Sequence, residues 1–293
     1  MAASPRSSPP LHPSPGAAGR TALSLRVRLA NAFPRLAEVE YACRALFDSL
    51  APARSSYAHS GEDRWVLDAL SRTDLSRGIY VDVGAWHPSR ISNTYLFYRR
   101  GLRGVLVEPN ARMVRLLRRF RPRDWVIAGG CGEVSEVRNL YVYSTSADSS
   151  FSSERVPWNE VHKRLRRVET CLVPVLPLDT ILAPVDHDWV YFLSVDAEGL
   201  DDSVLRGATG TLRRTLFTCV EVLPTNPGMD ARIARIMEES GFSPARRTPY
   251  NTIYRNQSPP REFLDRPGNR RDSTPPDGGV VTGPAGHAPL HTR

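Results

Sequence analysis

Residues 190–199 read Val-Tyr-Phe-Leu-Ser-Val-Asp-Ala-Glu-Gly. The first six positions are almost continuously apolar, which is typical of a central strand that is covered on both faces. Similar runs occupy 79–83, before Gly84, and 216–223, before Pro224. Strands of this kind need helices on both sides of the sheet, and helical patterns do lie between them. The chain therefore predicts a parallel sheet in an α/β fold.

Helical and strand patterns alternate along the rest of the chain. Further strands are predicted at 104–109, 125–129 and 251–254, with an added strand at 137–143. Helices are predicted over 34–50, over 91–100, after the N-cap residue Asn110, after Asp201, and from Met229 to Gly241, with a short helical pattern over 158–168. This alternation predicts a doubly wound sheet.

The two ends of the chain differ in composition from its middle. Residues 1–20 and 257–293 are rich in proline, glycine and serine and carry few large apolar side chains. Such segments cannot bury enough apolar surface to offset their ordering entropy, so both are predicted to be disordered tails. Between them we expect an N-terminal helical segment over 21–56 and one folded domain over 57–256. The helical period of the first rests on Leu36, Val39, Cys43, Leu46, Phe47 and Leu50.

The net charge of +8 comes from arginine, since Lys163 is the only lysine. A basic chain can bind nucleic acid or an acidic membrane surface. Here the arginines are scattered apart from runs within 112–123 and 164–167, and the first run lies on a helix with an apolar face. We therefore expect a solvated helix surface and no nucleic-acid partner.

Cysteine usage and hydropathy exclude several further classes. The four cysteines show no C-x-x-C spacing, so neither a disulfide framework nor a zinc site is predicted. No run of about 18 apolar residues is present that would predict a transmembrane helix, and no apolar core of a signal peptide follows the N-terminus. The expectation is a cytoplasmic protein without a transmembrane segment.

Acidic residues stand at the ends of four predicted strands: Asp82, Glu108, Asp196 and Glu221. In open α/β sheets the ligand lies beyond the carboxyl ends of the strands, near the point where strand order reverses. An acid that ends the second strand suits the hydroxyl groups of a ribose, and its alternative role is a charge beside a helix N-terminus. Asp196 and Glu198 could serve as a general base, as cation ligands or as a buried pair satisfied by backbone amides.

The glycine pattern after the first strand indicates the cofactor class. A dinucleotide needs a G-x-G-x-x-G turn for its pyrophosphate, whereas Gly84 is followed here by Ala-Trp-His-Pro. A nucleoside without phosphates does not need that turn. S-adenosylmethionine therefore fits better than a nicotinamide dinucleotide, and no phosphate-binding P-loop is present.

Six segments in order resemble the FkbM family of S-adenosylmethionine-dependent methyltransferases. They are Y-x-x-x-G-E-D at 57–63, V-D-V-G-A-W-H-P-x-x-x-S-N-T at 81–94, G-V-L-V-E-P-N at 104–110, L-D-T-I-L at 178–182, F-L-S-V-D-A-E-G-L-D at 192–201 with V-L-R-G at 204–207, and V-E-V at 220–222. The resemblance implies a class I methyltransferase fold, with a Rossmann-like, mostly parallel sheet and an antiparallel last strand. It also implies O-methylation of a sugar or natural product.

The resemblance also implies roles for individual residues. Asp82, Val83, Gly84 and Ala85 are expected to line the methionine side of the cofactor, with Asn93 and Thr94 beside them. Glu108, followed by Pro109, is expected to bind the ribose, and Gly130 and Cys131 to flank the adenine. The base candidates are Asp196, Glu198 and His59, in that order. A divalent ion held by Asp196 and Glu221 stays open, because oxygen ligands suit Mg²⁺ but no clear third ligand follows.

Three further expectations concern the acceptor and the rival functions. Residues 144–168, with Phe151 and Trp158, are predicted to cover a small-molecule or glycan acceptor. A nucleic-acid methyltransferase is one rival, although the chain has Asp-Ala-Glu-Gly where base methylation uses an Asn/Asp-Pro-Pro-aromatic turn. A metal-dependent nucleotide-sugar glycosyltransferase that uses Asp196 and Glu198 is the other.

Overall fold

A computed structural model describes residues 25–222, 227–259 and 263. The predicted tail at 1–20, and all of the tail at 257–293 except 257–259 and 263, lie outside the described residues. The strands are β1 (Gly78–Val83), β2 (Gly104–Glu108), β3 (Trp125–Ala128), β4 (Gly130–Cys131), β5 (Glu136–Tyr143), β6 (Arg167–Leu176), β7 (Trp189–Val195), β8 (Thr215–Glu221), β9 (Phe242–Arg247) and β10 (Asn251–Asn256).

The helices precede, connect and follow these strands. They are α1 (Leu25–Ala32), α2 (Pro34–Leu50), α3 (Glu62–Ala69), α4 (Tyr95–Arg99), α5 (Ala111–Phe120), α6 (Arg155–Pro157), α7 (Leu178–Leu182), α8 (Asp201–Arg206), α9 (Thr209–Arg213) and α10 (Pro227–Glu239). A 3₁₀ turn covers Ser146–Asp148 and a π-helical turn covers Trp158–His162. Within the described part of the chain, no helix is both long and apolar enough to cross a bilayer.

The main sheet has seven strands in the order β3-β2-β1-β7-β8-β10-β9. Its strands run parallel except for β10, which is antiparallel to both of its neighbours. This confirms the predicted doubly wound, mostly parallel sheet with an antiparallel last strand. Strand order reverses between β1 and β7, so the crevice expected to receive a ligand opens at the carboxyl ends of these two strands.

Both faces of the sheet are covered, as the apolar character of its strands requires. Phe192 and Leu193 are adjacent on β7 and fully buried, yet they belong to two different apolar clusters. One cluster includes Ile233 of α10, and the other includes Leu96 of α4. The sheet is therefore a central layer between helices, and its buried strands hold the strand ends in fixed positions.

A second sheet, β4-β6-β5, was only partly predicted. The added strand over 137–143 is present as β5, but it pairs antiparallel with β6 rather than joining the main sheet. The helical pattern over 158–168 is wrong beyond residue 162, because residues 167–176 form β6. Strand β9 was not predicted either. Both missed strands are held by long antiparallel ladders, which local sequence patterns do not reveal.

Two other local predictions are wrong in part. The helix predicted over 91–100 begins only at Tyr95, because Ile91 has a left-handed φ of 51°. The predicted solvated arginine face fails at Arg121, which is completely buried. Its guanidinium bonds to Asp124 at 2.7 Å, and it also contacts a tyrosine hydroxyl, a threonine hydroxyl and a backbone carbonyl.

Candidate active site

A cavity of about 220 Å³ opens at the carboxyl ends of β1, β2 and β7. The predicted site residues that line it are Asp82, Val83, Gly84, Ala85, Asn93, Glu108, Pro109, Gly130, Cys131, Asp196 and Glu198. Thr94, His59 and Glu221 are predicted site residues that do not line it. Residues from distant parts of the chain thus meet at the point where strand order reverses.

Glu108 ends β2 and is held by two backbone amides. Trp86 N–H donates to its Oε2 at 2.8 Å, and Asn110 N–H donates to its Oε1 at 2.7 Å. Burial raises the pKa of Glu108 to about 7, although both amide bonds favour the carboxylate. A carboxylate has about four acceptor positions, so two remain after the amides are satisfied. The Asn110 side chain caps α5 by accepting from Arg112 N–H, as predicted.

Gly84 lies where the backbones of two strand ends come into close contact. Its φ is 81°, and a Cβ atom there would lie 1.8 Å from the carbonyl oxygen of Asp196. The glycine is therefore required where the ends of β1 and β7 approach each other, and it also lines the cavity. This contact joins the two strand ends that frame the cavity.

Asp82 belongs to a buried polar chain behind the cavity. Thr94 Oγ1 donates to Asp82 Oδ2 at 2.6 Å, and Arg121 reaches the same hydroxyl at 3.2 Å. Burial raises the pKa of Asp82, with the Thr94 hydrogen bond and the Arg121 charge opposing that rise. Beside it, Asn93 Nδ2 donates to Ser194 Oγ at 3.1 Å. Thr94 therefore supports the cavity wall without lining the cavity.

Asp196, Glu198 and Glu221 form a cluster of carboxylates beyond β7 and β8. Burial and the charges of Glu221 and Glu198 raise the pKa of Asp196 well above its ordinary range. Burial and Glu198 likewise raise the pKa of Glu221. Asp196 Oδ1 and Glu221 Oε2 are buried without a hydrogen-bond partner. Their unused acceptor capacity is what a substrate hydroxyl or a cation could satisfy.

Glu198 has a left-handed φ of 52°, which is unusual for a residue with a side chain. Its carboxylate pairs with Arg155 at 2.6 Å, and its carbonyl accepts from Ser150 Oγ at 3.1 Å. Burial raises the pKa of Glu198, and the Arg155 charge opposes this. Strained backbone of this kind is found at functional sites when surrounding contacts hold it in place.

The segment 144–168, which we call the lid segment, covers one side of the cavity. Phe151 lines the cavity and packs over Gly130, while Trp86 Nε1 donates to Ser146 Oγ at 3.0 Å. Trp158 instead stacks on His162, with ring centroids 4.3 Å apart. The sequence analysis did not predict Trp86 or Arg155 as site residues. The only signal for Trp86 was its position in the turn after β1, and the only signal for Arg155 was its position in the lid segment.

His59 is exposed to solvent and does not line the cavity. Its ring packs against Tyr250 with centroids 4.0 Å apart.

As for metal binding, no cluster of three or more His, Cys, Asp or Glu side chains suited to an ion occurs among the described residues. A divalent ion held by Asp196 and Glu221 stays a prediction, and no third ligand for it is identified among the described residues.

The sheet order, with a cavity at its switch point, matches the class I methyltransferase fold that the sequence predicts. The chain belongs to the FkbM methyltransferase family, because the model of the methyltransferase FkbM domain matches residues 82–244. This confirms the resemblance seen in the sequence. No curated protein matches the chain.

Three solved structures illustrate the similarity. A TehB-like SAM-dependent methyltransferase from Corynebacterium glutamicum has 9% identity and a TM-score of 0.38, over 76% of this chain and 100% of that chain. A precorrin-6y C5,15-methyltransferase from Geobacter metallireducens has 13% identity and a TM-score of 0.34, over 71% and 95%. A human methyltransferase 10 domain containing protein has 10% identity and a TM-score of 0.35, over 77% and 96%.

Proposed function

We propose that this protein transfers a methyl group from S-adenosylmethionine to a hydroxyl group of a sugar or natural-product acceptor. The observation that carries the proposal is the carboxylate cluster beside the cavity, in which Asp196 and Glu221 keep buried acceptor atoms without partners. Carboxylates in this state bind hydroxyl groups well, because the hydroxyl supplies the missing donor. A small-molecule or glycan acceptor offers several such donors.

We assign the predicted cofactor residues to three parts of S-adenosylmethionine. We assign the ribose hydroxyls to the free acceptor positions of Glu108, and the methionine part to the wall formed by Asp82 and Asn93. The adenine is assigned to the wall of Gly130 and Cys131, which Phe151 partly covers. When bound, S-adenosylmethionine supplies an electrophilic methyl group on a sulfonium centre.

Asp196 and Glu198 are the residues that we assign to the acceptor proton. A base works best when its pKa lies near the operating pH, and burial raises both pKa values from the acidic range. Arg155 orients Glu198 through the 2.6 Å ion pair. Both carboxylates line the cavity, whereas His59 does not, so we prefer them as bases over His59.

Calorimetric titration with S-adenosylhomocysteine tests the cofactor assignment. We expect Glu108→Ala to weaken binding about 10- to 100-fold, as for the loss of charged hydrogen bonds worth about 1.5–3 kcal/mol. Glu38→Ala is the matched control, because Glu38 pairs with Arg112 without lining the cavity. Equal affinity in wild-type and Glu108→Ala protein would contradict the assignment.

The acceptor class is tested with isotopically labelled S-adenosylmethionine and panels of sugars, natural products and RNA. We expect label in a hydroxyl-bearing small molecule or glycan, and its loss in Asp196→Asn. Label in RNA would overturn the proposal. Activity that disappears with EDTA and returns with Mg²⁺ would assign Asp196 and Glu221 to a metal ion instead of a base.

A further inference from the structure

The outer face of α2 carries an exposed apolar stripe, which we call the α2 seam. Its members are Leu36, Val39, Cys43, Leu46, Phe47 and Leu50, all exposed to solvent. Leu50 is 78% exposed and Phe47 is 59% exposed. The apolar residues that gave this helix its sequence period therefore do not pack on the domain. Tyr41, Ala45 and Asp48 do so instead.

The spacing of the α2 seam is that of a helix-pairing surface. Positions 36, 39, 43, 46 and 50 alternate steps of three and four residues, which is the a/d pattern of paired helices. The pattern is also nearly symmetric about Cys43. Leu36 and Leu50 lie seven residues to either side, and Val39 and Phe47 lie four residues to either side. An isologous contact between two copies requires self-complementarity of this kind.

The opposite face of α2 is fixed to the domain by polar contacts. His87 Nε2 lies 3.1 Å from the carbonyl oxygen of Tyr41, and Ser89 Oγ donates to Asp48 Oδ2 at 2.8 Å. Arg99 also donates to the Ala51 carbonyl just beyond the helix at 2.9 Å. The α2 seam is thus presented on a helix whose position is already determined. A partner would meet a preformed surface, which lowers the entropy cost of association.

The acidic residues that border the seam are paired within the chain. Glu38 pairs with Arg112 at 2.7 Å, and Glu40 pairs with Arg90 at 3.3 Å. An acidic lipid surface is attracted by basic side chains on the polar face of a helix, and here that attraction is reduced by these acidic residues. The chemistry of the seam therefore favours an uncharged apolar surface like itself.

The available area also suits a dimer. Helix α1 packs on α2 and exposes further apolar side chains at Leu25 and Leu29, and Phe33, between the two helices, is exposed as well. Burying a large apolar side chain removes on the order of 100 Å² from water. Covering all eight large apolar side chains of the seam and of residues 25–33 would remove on the order of 800 Å² per copy from water, which is the size of a standard interface.

We propose that the α2 seam binds the α2 seam of a second copy of this chain, with the two helices antiparallel and a twofold axis passing near Cys43. In this arrangement Leu36 of each copy faces Leu50 of the other. The proposal is independent of the methyl acceptor, so it can fail or succeed without affecting the proposed function.

Sedimentation equilibrium of the full chain under reducing conditions tests the dimer. We expect a dimer for wild-type protein, and a dissociation constant raised at least about 100-fold in Val39→Glu/Leu46→Glu, because two charges per copy enter the interface. Leu172→Glu is the matched control, since Leu172 is 72% exposed on β6, outside the seam. Unchanged thermal unfolding and S-adenosylhomocysteine binding show that the variants remain folded.

Cross-linking with a short bismaleimide tests the antiparallel register. In a Cys171→Ala background, we expect Cys43 to cross-link between copies. With Cys43 also replaced by Ala, Leu36→Cys alone should not cross-link, because the two cysteines lie about 21 Å apart along antiparallel helices. A mixture of Leu36→Cys and Leu50→Cys should cross-link. Cross-linking of Leu36→Cys with itself would indicate parallel helices and overturn the register.

Two further outcomes would overturn the dimer itself. One is a monomer at tens of micromolar, with the seam variants behaving like wild-type protein. The other is a monomer that co-sediments with vesicles of phosphatidylcholine and phosphatidylglycerol and loses this binding in Val39→Glu/Leu46→Glu. That result would assign the α2 seam to a lipid surface.

Discussion

Replacing Glu108 by Gln isolates the energetic cost of burying a charge in the cavity. Burial raises the pKa of Glu108 from its ordinary 4.5 to about 7, and the residue is only 5% exposed. At about 1.4 kcal/mol for each tenfold change in proton affinity, this corresponds to about 3 kcal/mol. The protonated carboxyl is the form that folding favours. Its contribution to stability is complete below pH 4.5 and is lost as the pH rises through about 7.

The Gln side chain cannot ionise, so the stability of Glu108→Gln does not include this decrease with rising pH. We expect the free energy of unfolding of the variant, minus that of wild-type protein, to increase by about 2.5 kcal/mol from about pH 5 to about pH 8.5. Urea denaturation at several pH values measures the difference, in which other titrating groups largely cancel. Glu136→Gln is the control for an exposed carboxylate, because its side chain is 43% exposed. Parallel stability curves for Glu108→Gln would refute the reasoning.

Three further predictions concern residues that support the site. Gly84→Ala should lower the free energy of unfolding, measured by urea denaturation, by about 3 kcal/mol or more, because its Cβ would lie 1.8 Å from a carbonyl oxygen. Gly101→Ala, whose Cβ would have nothing within 4 Å, should lower it by only about 1–2 kcal/mol. Equal losses in the two variants would contradict the close approach at Gly84. Arg121→Met should lower the free energy of unfolding by about 3–5 kcal/mol, because it leaves Asp124 without its buried cation. A loss below about 1 kcal/mol would show that the pair is not buried as described. Burial lowers the pKa of His87 to about 4, so its NMR titration should occur near that pH, and stability should fall as pH drops below 6.5 toward 4; titration near 6.5 would contradict this burial.

Most of the main sheet followed from sequence because its strands are buried on both faces. The runs that form β1, β7 and β8 are apolar on both sides. In the sequence each is followed within four residues by a glycine or a proline. The strand ends then placed Asp82, Glu108 and Asp196 at one edge of the sheet by topology alone. All three line the same cavity in the structure.

Contacts between distant segments were not predictable in the same way. Strand β6 was missed because its stability lies in the ladder with β5, and a local helical pattern competed with that interpretation. Arg121 carries the same charge as its exposed neighbours on α5, and its hydrogen bonds to Asp124, to two hydroxyl groups and to a backbone carbonyl make its burial tolerable. The pairing of Arg155 with Glu198 likewise joins residues with no recognisable spacing.

The sequence by itself determined the class of fold, the family and the acidic strand ends, because apolar periodicity and local motifs act over short stretches of chain. Tertiary structure decided which carboxylates share a cavity, why Gly84 must lack a side chain, and which face of α2 is left to solvent. These properties depend on burial and on distances between residues far apart in the chain. The same apolar stripe can cover a core or remain exposed, and the rest of the fold determines which occurs.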